Sequence, residues 1–198
     1  LLLATGAHAR GLPSMAGLDR VVAYRTWRDY QYVKQSVEQG TRVAIVGGGF
    51  IGSEMAAALS KAGAQVTMVF PEAHMGGGRF PESIASLVDA DYQARGVTLL
   101  PGRTVDAATG VDGGVRLQLS DGSFLEAELV LVGVGAKPNQ ELAEAAGLQT
   151  GNGVLVDAHL NVLTADGPLH NVFAAGDIAS FEWRALGRRL RIEHEDNA

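Results

Sequence analysis

The sequence predicts an α/β fold built on a parallel sheet, and three observations carry that prediction. Residues 42–46 form a β-branched run that reaches three glycines at 47, 48 and 49, and an alanine-rich helical stretch over 51–62 follows at once. A second apolar run, "QVTMVF" at 65–70, arrives on schedule for a strand–helix–strand unit. Both runs read as near-continuous apolar segments, as strands covered on both faces require.

The remaining elements follow in chain order. Residues 1–4 read as a buried strand entering a turn at Thr5 and Gly6. The next stretch is turn-rich, punctuated by Pro13 and Gly17, and is a candidate crossing between domains. Residues 21–26 predict a short strand. Residues 27–39 predict a helix with Tyr30, Val33 and Val37 near one face and Gly40 as its stop. Gly63 ends the helix of the central unit, and a loop over 71–79 follows the second strand. Pro81 opens a further helix to about residue 95, where the missing amide of a first-turn proline costs nothing. Gly96 stops it, and 97–100 is a third strand.

From Arg103 the pattern changes. "RTVDAA", "GVRLQLS" and "FLEAEL" are separated by Asp112-Gly113-Gly114 and Asp121-Gly122-Ser123, which predicts antiparallel strands joined by tight turns. Residues 128–133 return to a buried strand. A short helix at 141–146 and strands near 154–156 and 172–175 complete the reading.

Composition bounds the function. The 198 residues accommodate one full core, or one domain with part of another. A net charge of −6 argues against nucleic acid as the main partner. No apolar run reaches the roughly 18 residues of a membrane span. "LLLATG" has no basic segment before it, so no signal peptide is read and a cytoplasmic location is expected. Cysteine is absent, so these residues hold no disulfide, thiolate metal site or redox dithiol. The histidines at 8, 74, 159, 170 and 194 lack ligand spacing; most read as surface or loop residues, and no metal is expected. The abrupt first and last residues read as cuts through a larger fold, so the chain is expected to be a fragment.

The chemistry concentrates at Gly47, Gly49 and Gly52, a G-x-G-x-x-G between strand and helix. The first glycine permits the tight turn, the second clears space for a pyrophosphate, and the third lets helix and strand pack closely. Amides at the helix start, Ile51 among them, then face phosphate charge. A purely structural tight turn is the competing reading. Glu72, just past the second strand, either accepts both hydrogen bonds of an adenosine ribose diol or faces solvent. The first alternative favours NADH over NADPH, while Arg79 keeps the NADPH reading open, because an arginine in this loop is a partner for its extra phosphate. Phe50 reads either as a core anchor or as a flat side chain over a cofactor ring. Glu54 is either a solvated helix residue or the acceptor of a nicotinamide carboxamide. In "VFAAGD", Gly176 and Asp177 place a carboxylate at a strand end, as a ligand contact or as a cap for a following helix.

"RVAIVGGGFIGSE", "VFPE", "LVLVGVGAKPN", "NVFAAGDIA" and "RRLRIEHEDNA", in that order, resemble the FAD-dependent pyridine nucleotide oxidoreductases. The closer resemblance is to the branch containing apoptosis-inducing factor and the ferredoxin or rubredoxin reductases, and it runs through essentially the whole chain. It implies a Rossmann-like, three-layer NAD(P)H domain with a β-meander, inserted into an incomplete FAD domain of similar fold. Residues 1–12 then correspond to the end of the first FAD segment, 13–135 to the NAD(P)H domain and 136–198 to the returning FAD segment. The resemblance implies that Phe50 packs between flavin and nicotinamide, that Glu54 holds the carboxamide and that Gly135 lies near the nicotinamide. It places Asp177 on the FAD ribitol or pyrophosphate, and Glu193 and His194 beside the flavin and nicotinamide.

The family's first glycine motif, for the ADP half of FAD, is not among these residues, nor is its C-terminal interface domain. This chain alone is therefore expected to bind FAD poorly or not at all. The parent is expected to take hydride from NADH onto FAD and to pass electrons to a ferredoxin-like or other acceptor, with a homodimer among the arrangements allowed. Two rivals stand beside it: a disulfide reductase with its dithiol upstream, and a redox-responsive NADH-binding protein with slow turnover.

Overall fold

The computed structural model describes residues 1–76 and 79–193. Two short strands come first, β1 (Leu2–Leu3) and β2 (Ala7–Ala9). After them come β3 (Val21–Ala23), α1 (Trp27–Ser36), β4 (Arg42–Val46), α2 (Phe50–Lys61), β5 (Gln65–Phe70), α3 (Glu82–Ala94) and β6 (Thr98–Pro101). The next run is β7 (Val105–Val111), β8 (Gly114–Leu119), β9 (Phe124–Ala127) and β10 (Leu129–Val132). The chain divides into two compact units, Ala9–Gly135 and Leu1–His8 with Ala136–Ala198.

In the unit Ala9–Gly135 the central sheet has the order β3-β10-β4-β5-β6, every pair parallel. Its strands alternate between two cores. Val43, Ile45, Val66, Met68, Phe70, Leu129 and Leu131 pack with Val33 of α1 and Ala56 and Leu59 of α2. Ala44, Val46, Val69, Val130 and Val132 pack on the other face with Val115, Leu117 and Leu119 of β8 and Ala127 of β9. The β7-β8-β9 meander is antiparallel throughout. Burial on both faces explains why these strands carry no polar alternation.

The order of the sheet fixes a crevice. From β4 the chain adds β5 and β6 on one side, then returns with β10 on the other side of β4. Such a reversal leaves a gap between the carboxyl ends of the two strands, where ligands of open α/β sheets bind.

Helix ends depart from expectation for local reasons. α1 stops at Ser36, not at 39: Val37 is extended, and a turn takes over in which the Glu38 amide donates to Thr41 Oγ1 and the Gly40 amide to the Gly63 carbonyl. Pro81 caps α3 with extended backbone instead of lying inside its first turn.

The second unit contains β1 and the elements after Gly135. These are β11 (Ala136–Pro138), α4 (Glu141–Ala145), β12 (Thr150–Gly151), β13 (Gly153–Leu155), β14 (Asn161–Thr164), β15 (Gly167–Ala174), β16 (Ala179–Trp183) and β17 (Arg188–Leu190). They form sheets of order β1-β15-β14 and β12-β13-β16-β17 around Leu3, Val154, Val156, Val162 and Ile178. The expected buried strand at residues 1–4 is only partly so. β1 is an edge strand against β15, and Leu3 is buried while Leu1 and Leu2 are exposed. Among the histidines, His8 is exposed and pairs with Asn139, and His74 lies in the loop after β5 and pairs with Asp89.

Candidate functional site

The glycine turn joins β4 to α2 at the crevice between β4 and β10. Each of its glycines has a distinct physical reason. Gly47 has φ +115, and a Cβ there would collide with the Gly133 carbonyl at the end of β10. A Cβ on Gly48 would stand 2.9 Å from the Phe70 ring. One on Gly52 would collide with the Gly47 carbonyl, so its absence sets how closely helix and turn pack. Gly49 differs. Its backbone is ordinary for any residue (φ −78, ψ −169), and the nearest atoms to a Cβ there are Arg79 Nη1 at 3.9 Å and the Gly133 oxygen at 4.0 Å. The fold demands glycine at 47, 48 and 52; at 49 the described residues leave room for a Cβ, in ordinary van der Waals contact.

α2 begins on that space with no side-chain cap. Its first-turn amides, those of Phe50, Ile51 and Gly52, have no partner four residues back, so donors and the positive helix end face the crevice. The Ile51 side chain leans toward Gly133, with Cγ2 3.7 Å from where a Cβ on that glycine would stand.

Phe50 is 64% exposed, which overturns the core-anchor reading. The Arg79 guanidinium covers its ring at 4.6 Å from the centroid, and Arg79 Nη1 donates to the Gly76 carbonyl at 3.2 Å. Glu54 is exposed one turn further along α2, on the same helical face as Phe50. Beside it, Tyr92 of α3 donates to the Ser53 carbonyl at 3.1 Å. Burial, with Asp91 and Glu54 nearby, pushes the Tyr92 hydroxyl's pKa above its ordinary value. Glu72 is exposed beyond the carboxyl end of β5, with its carbonyl accepting from the Gly102 amide at 3.0 Å. Gly135 has φ +99 and nothing within 4 Å of a Cβ position.

The structure thus gathers Gly47, Gly49, Phe50, Ile51, Gly52 and Arg79 at one strand end, with Glu72 on the neighbouring strand's exit. It adds Gly133, which sequence reading passed over as the last residue of a strand. Only the reversal of strand order brings its carbonyl against Gly47.

The other candidates belong to the second unit. Gly176 (φ +73) and a half-buried Asp177 lie in a 3-10 turn, Gly176–Ile178, one residue after β15; its N-cap position is Ala175, so Asp177 sits inside the turn and does not cap a following helix. Arg191 ties the region together. Its Nη1 donates to the Asp177 carbonyl at 3.2 Å and to Glu193 Oε1 at 2.9 Å, and its Nε donates to Asn152 Oδ1 at 3.0 Å. With a side chain only 8% exposed, Arg191 is the organising residue here. Its signal in the sequence was the arginine cluster at 188–191, which does not reveal which arginine turns inward. His194 lies outside the described residues.

Comparison with known proteins places this geometry. The family model described as pyridine nucleotide-disulphide oxidoreductase matches residues 1–198. The chain is 39% identical over 197 residues to the ferredoxin–NAD(+) reductase component of the anthranilate 1,2-dioxygenase system of Burkholderia cepacia, covering 98% of this chain and 47% of that protein. It is 35% identical over 162 residues to a terpredoxin reductase of Pseudomonas sp., covering 80% of this chain and 40% of that protein. Among solved structures, the covalent putidaredoxin reductase–putidaredoxin complex superposes with a TM-score of 0.91 at 31% identity, over 99% of this chain and 48% of that one. The chain spans about half the length of the curated relatives it matches. With a Rossmann-like fold and a glycine turn at its sheet reversal, this chain belongs to the pyridine nucleotide-disulphide oxidoreductase family.

Proposed function

We propose that the protein of which this chain is part is an FAD-dependent NADH oxidoreductase that passes electrons to a ferredoxin- or rubredoxin-like acceptor. The observation that carries the dinucleotide reading is Gly49. The described residues leave room for a Cβ there and do not themselves require glycine, which supports a ligand as the reason for it. Space beside uncapped helix amides fits a pyrophosphate, whose charge the amides and the helix dipole stabilise. The acceptor class is supported by the relatives, which are named as a ferredoxin–NAD(+) reductase, a terpredoxin reductase and a putidaredoxin reductase.

In this reading Gly47, Gly49 and Gly52 shape the phosphate cradle, and the amides of Phe50 and Ile51 donate into it. Glu72 accepts the ribose hydroxyls and repels a 2'-phosphate, which favours NADH. Arg79 is engaged with Phe50 and the Gly76 carbonyl, which supports a role at the diphosphate end. Phe50 presents an exposed ring for the nicotinamide side, Glu54 orients the carboxamide, and Gly135 leaves the approach open. Bound FAD supplies the hydride acceptor. Asp177 and Glu193, linked through Arg191, contribute to its site, with His194 as a further candidate. This segment by itself would supply few FAD contacts and is proposed not to retain the flavin. A cytoplasmic setting accords with the redox role.

Gly49→Ala tests the reading. The backbone there suits alanine, so thermal stability should stay within about 1 kcal/mol of the parent, while affinity for NADH by calorimetry should fall at least about tenfold. Unchanged NADH affinity in a folded variant would remove the phosphate cradle from the account.

A further inference from the structure

The loop at residues 71–76 leaves β5 beside the crevice and carries Glu72. The glycine motif says nothing about what holds that loop in place. Asp89, in the middle of α3, does so with both carboxylate oxygens. Oδ1 accepts from the Met75 amide at 3.0 Å, and Oδ2 accepts from His74 Nδ1 at 2.9 Å. The Asp89 side chain is 15% exposed and that of His74 31%, so water competes poorly for these bonds. The Met75 side chain is anchored in the helix-side core.

Two further bonds complete the frame. The Gly102 amide donates to the Glu72 carbonyl at 3.0 Å, and the Gly76 amide donates to the Gly48 carbonyl at 2.8 Å. The loop therefore runs from the ribose side to the phosphate turn, and Asp89 grips it midway. With Asp89 removed, His74 and Met75 would each lose a polar partner, and between its ends the loop would be held by the packing of the Met75 side chain without these hydrogen bonds.

We propose that Asp89 is a positioning residue for dinucleotide recognition. By clamping His74 and Met75 it fixes the span between the Glu72 carboxylate and the turn at 47–49. That span selects a ligand whose ribose diol reaches Glu72 while its phosphates reach the turn. The inference rests on Glu72 being the ribose acceptor.

The test is a double-mutant cycle in the full-length protein, with ADP-ribose as the probe and calorimetry as the readout. Asp89→Ala should weaken ADP-ribose by about tenfold, and Glu72→Ala by at least as much. Combining them should cost little more than Glu72→Ala alone, because Asp89 acts through Glu72. Asp89→Asn keeps one acceptor oxygen and should lie between Asp89→Ala and the parent. A merely structural Asp89 would show its full loss in the Glu72→Ala background too, and that result overturns the inference. If Asp89→Ala does not fold, His74→Asn, which leaves the Met75 bond intact, enters the same cycle with an expected loss of about threefold. Normal affinity in the clamp variants beside a weakened Glu72→Ala rejects the clamp alone. An unweakened Glu72→Ala rejects the ribose assignment, and the clamp with it.

Discussion

At the scale of single residues, the glycines of the turn separate into those the fold needs and one it does not. Gly52 sits under the Gly47 carbonyl, and no rotation of a side chain relieves a clash with backbone. Gly52→Ala must therefore push α2 away from β4, costing about 1–3 kcal/mol by the overpacking argument. Thermal or denaturant unfolding would register it, and a Gly52→Ala variant as stable as the parent would contradict the packing described. Phe50 makes the opposite prediction. Its ring is largely in solvent with Arg79 over it, so Phe50→Ala should change stability by no more than about 1 kcal/mol. ADP-ribose, which has no nicotinamide, should bind Phe50→Ala normally, while NADH affinity or hydride transfer suffers. Equal losses with both ligands would exclude a role at the nicotinamide end. The exposure of Phe50 was not legible in the sequence, because a phenylalanine opening a helix has the same pattern whether it points to core or crevice.

At the scale of elements, legibility followed burial. β4 and β5 emerge with the expected bounds, since strands covered on both faces must be apolar along their length. β14, β16 and β17 went unread. β17 carries two exposed arginines, Arg188 and Arg189, and β16 ends in exposed Glu182 and Trp183. Their strand character comes from pairing, β14 with β15 and β17 with β16 across short turns and β16 with the more distant β13, which local composition does not encode. α1 shows an element stabilised at its start. Thr26 and Asp29 form a capping box in which Asp29 Oδ2 accepts from the Thr26 and Arg25 amides at 2.6 and 3.0 Å. Partial burial pushes the Asp29 pKa up, but these amides and the Thr26 hydroxyl outweigh it and hold the carboxyl below its ordinary 3.8. A depressed folded pKa gives stability that is complete above the unfolded value and lost as pH falls through the folded one. Asp29→Ala should therefore cost about 1 kcal/mol at pH 7. The gap in melting temperature between parent and variant should narrow as pH drops below 3.8. A gap that is constant down to pH 2 would mean the carboxylate is not what holds the cap.

At the scale of the molecule, the unit Ala9–Gly135 contains everything assigned to the ADP-ribose part of the dinucleotide: the turn, Glu72, Arg79 and the Asp89 clamp. Its two ends meet, because the Arg10 amide donates to the Gly135 carbonyl at 2.9 Å. Both faces of its sheet are covered from within, by the three helices on one side and by the β7-β8-β9 meander on the other. A unit with closed cores and adjacent ends is expected to fold by itself. Residues 9–135 expressed alone should unfold in one cooperative thermal transition and bind ADP-ribose within about threefold of the full-length protein, since no contact assigned to that ligand lies elsewhere. NADH is the more demanding probe, because residues assigned near the nicotinamide and flavin, Glu193 among them, lie in the other unit. Loss of ADP-ribose affinity in a cooperatively folded 9–135 would show that the adenosine end draws on residues outside this unit. Absence of a cooperative transition would show that the two internal cores are insufficient by themselves.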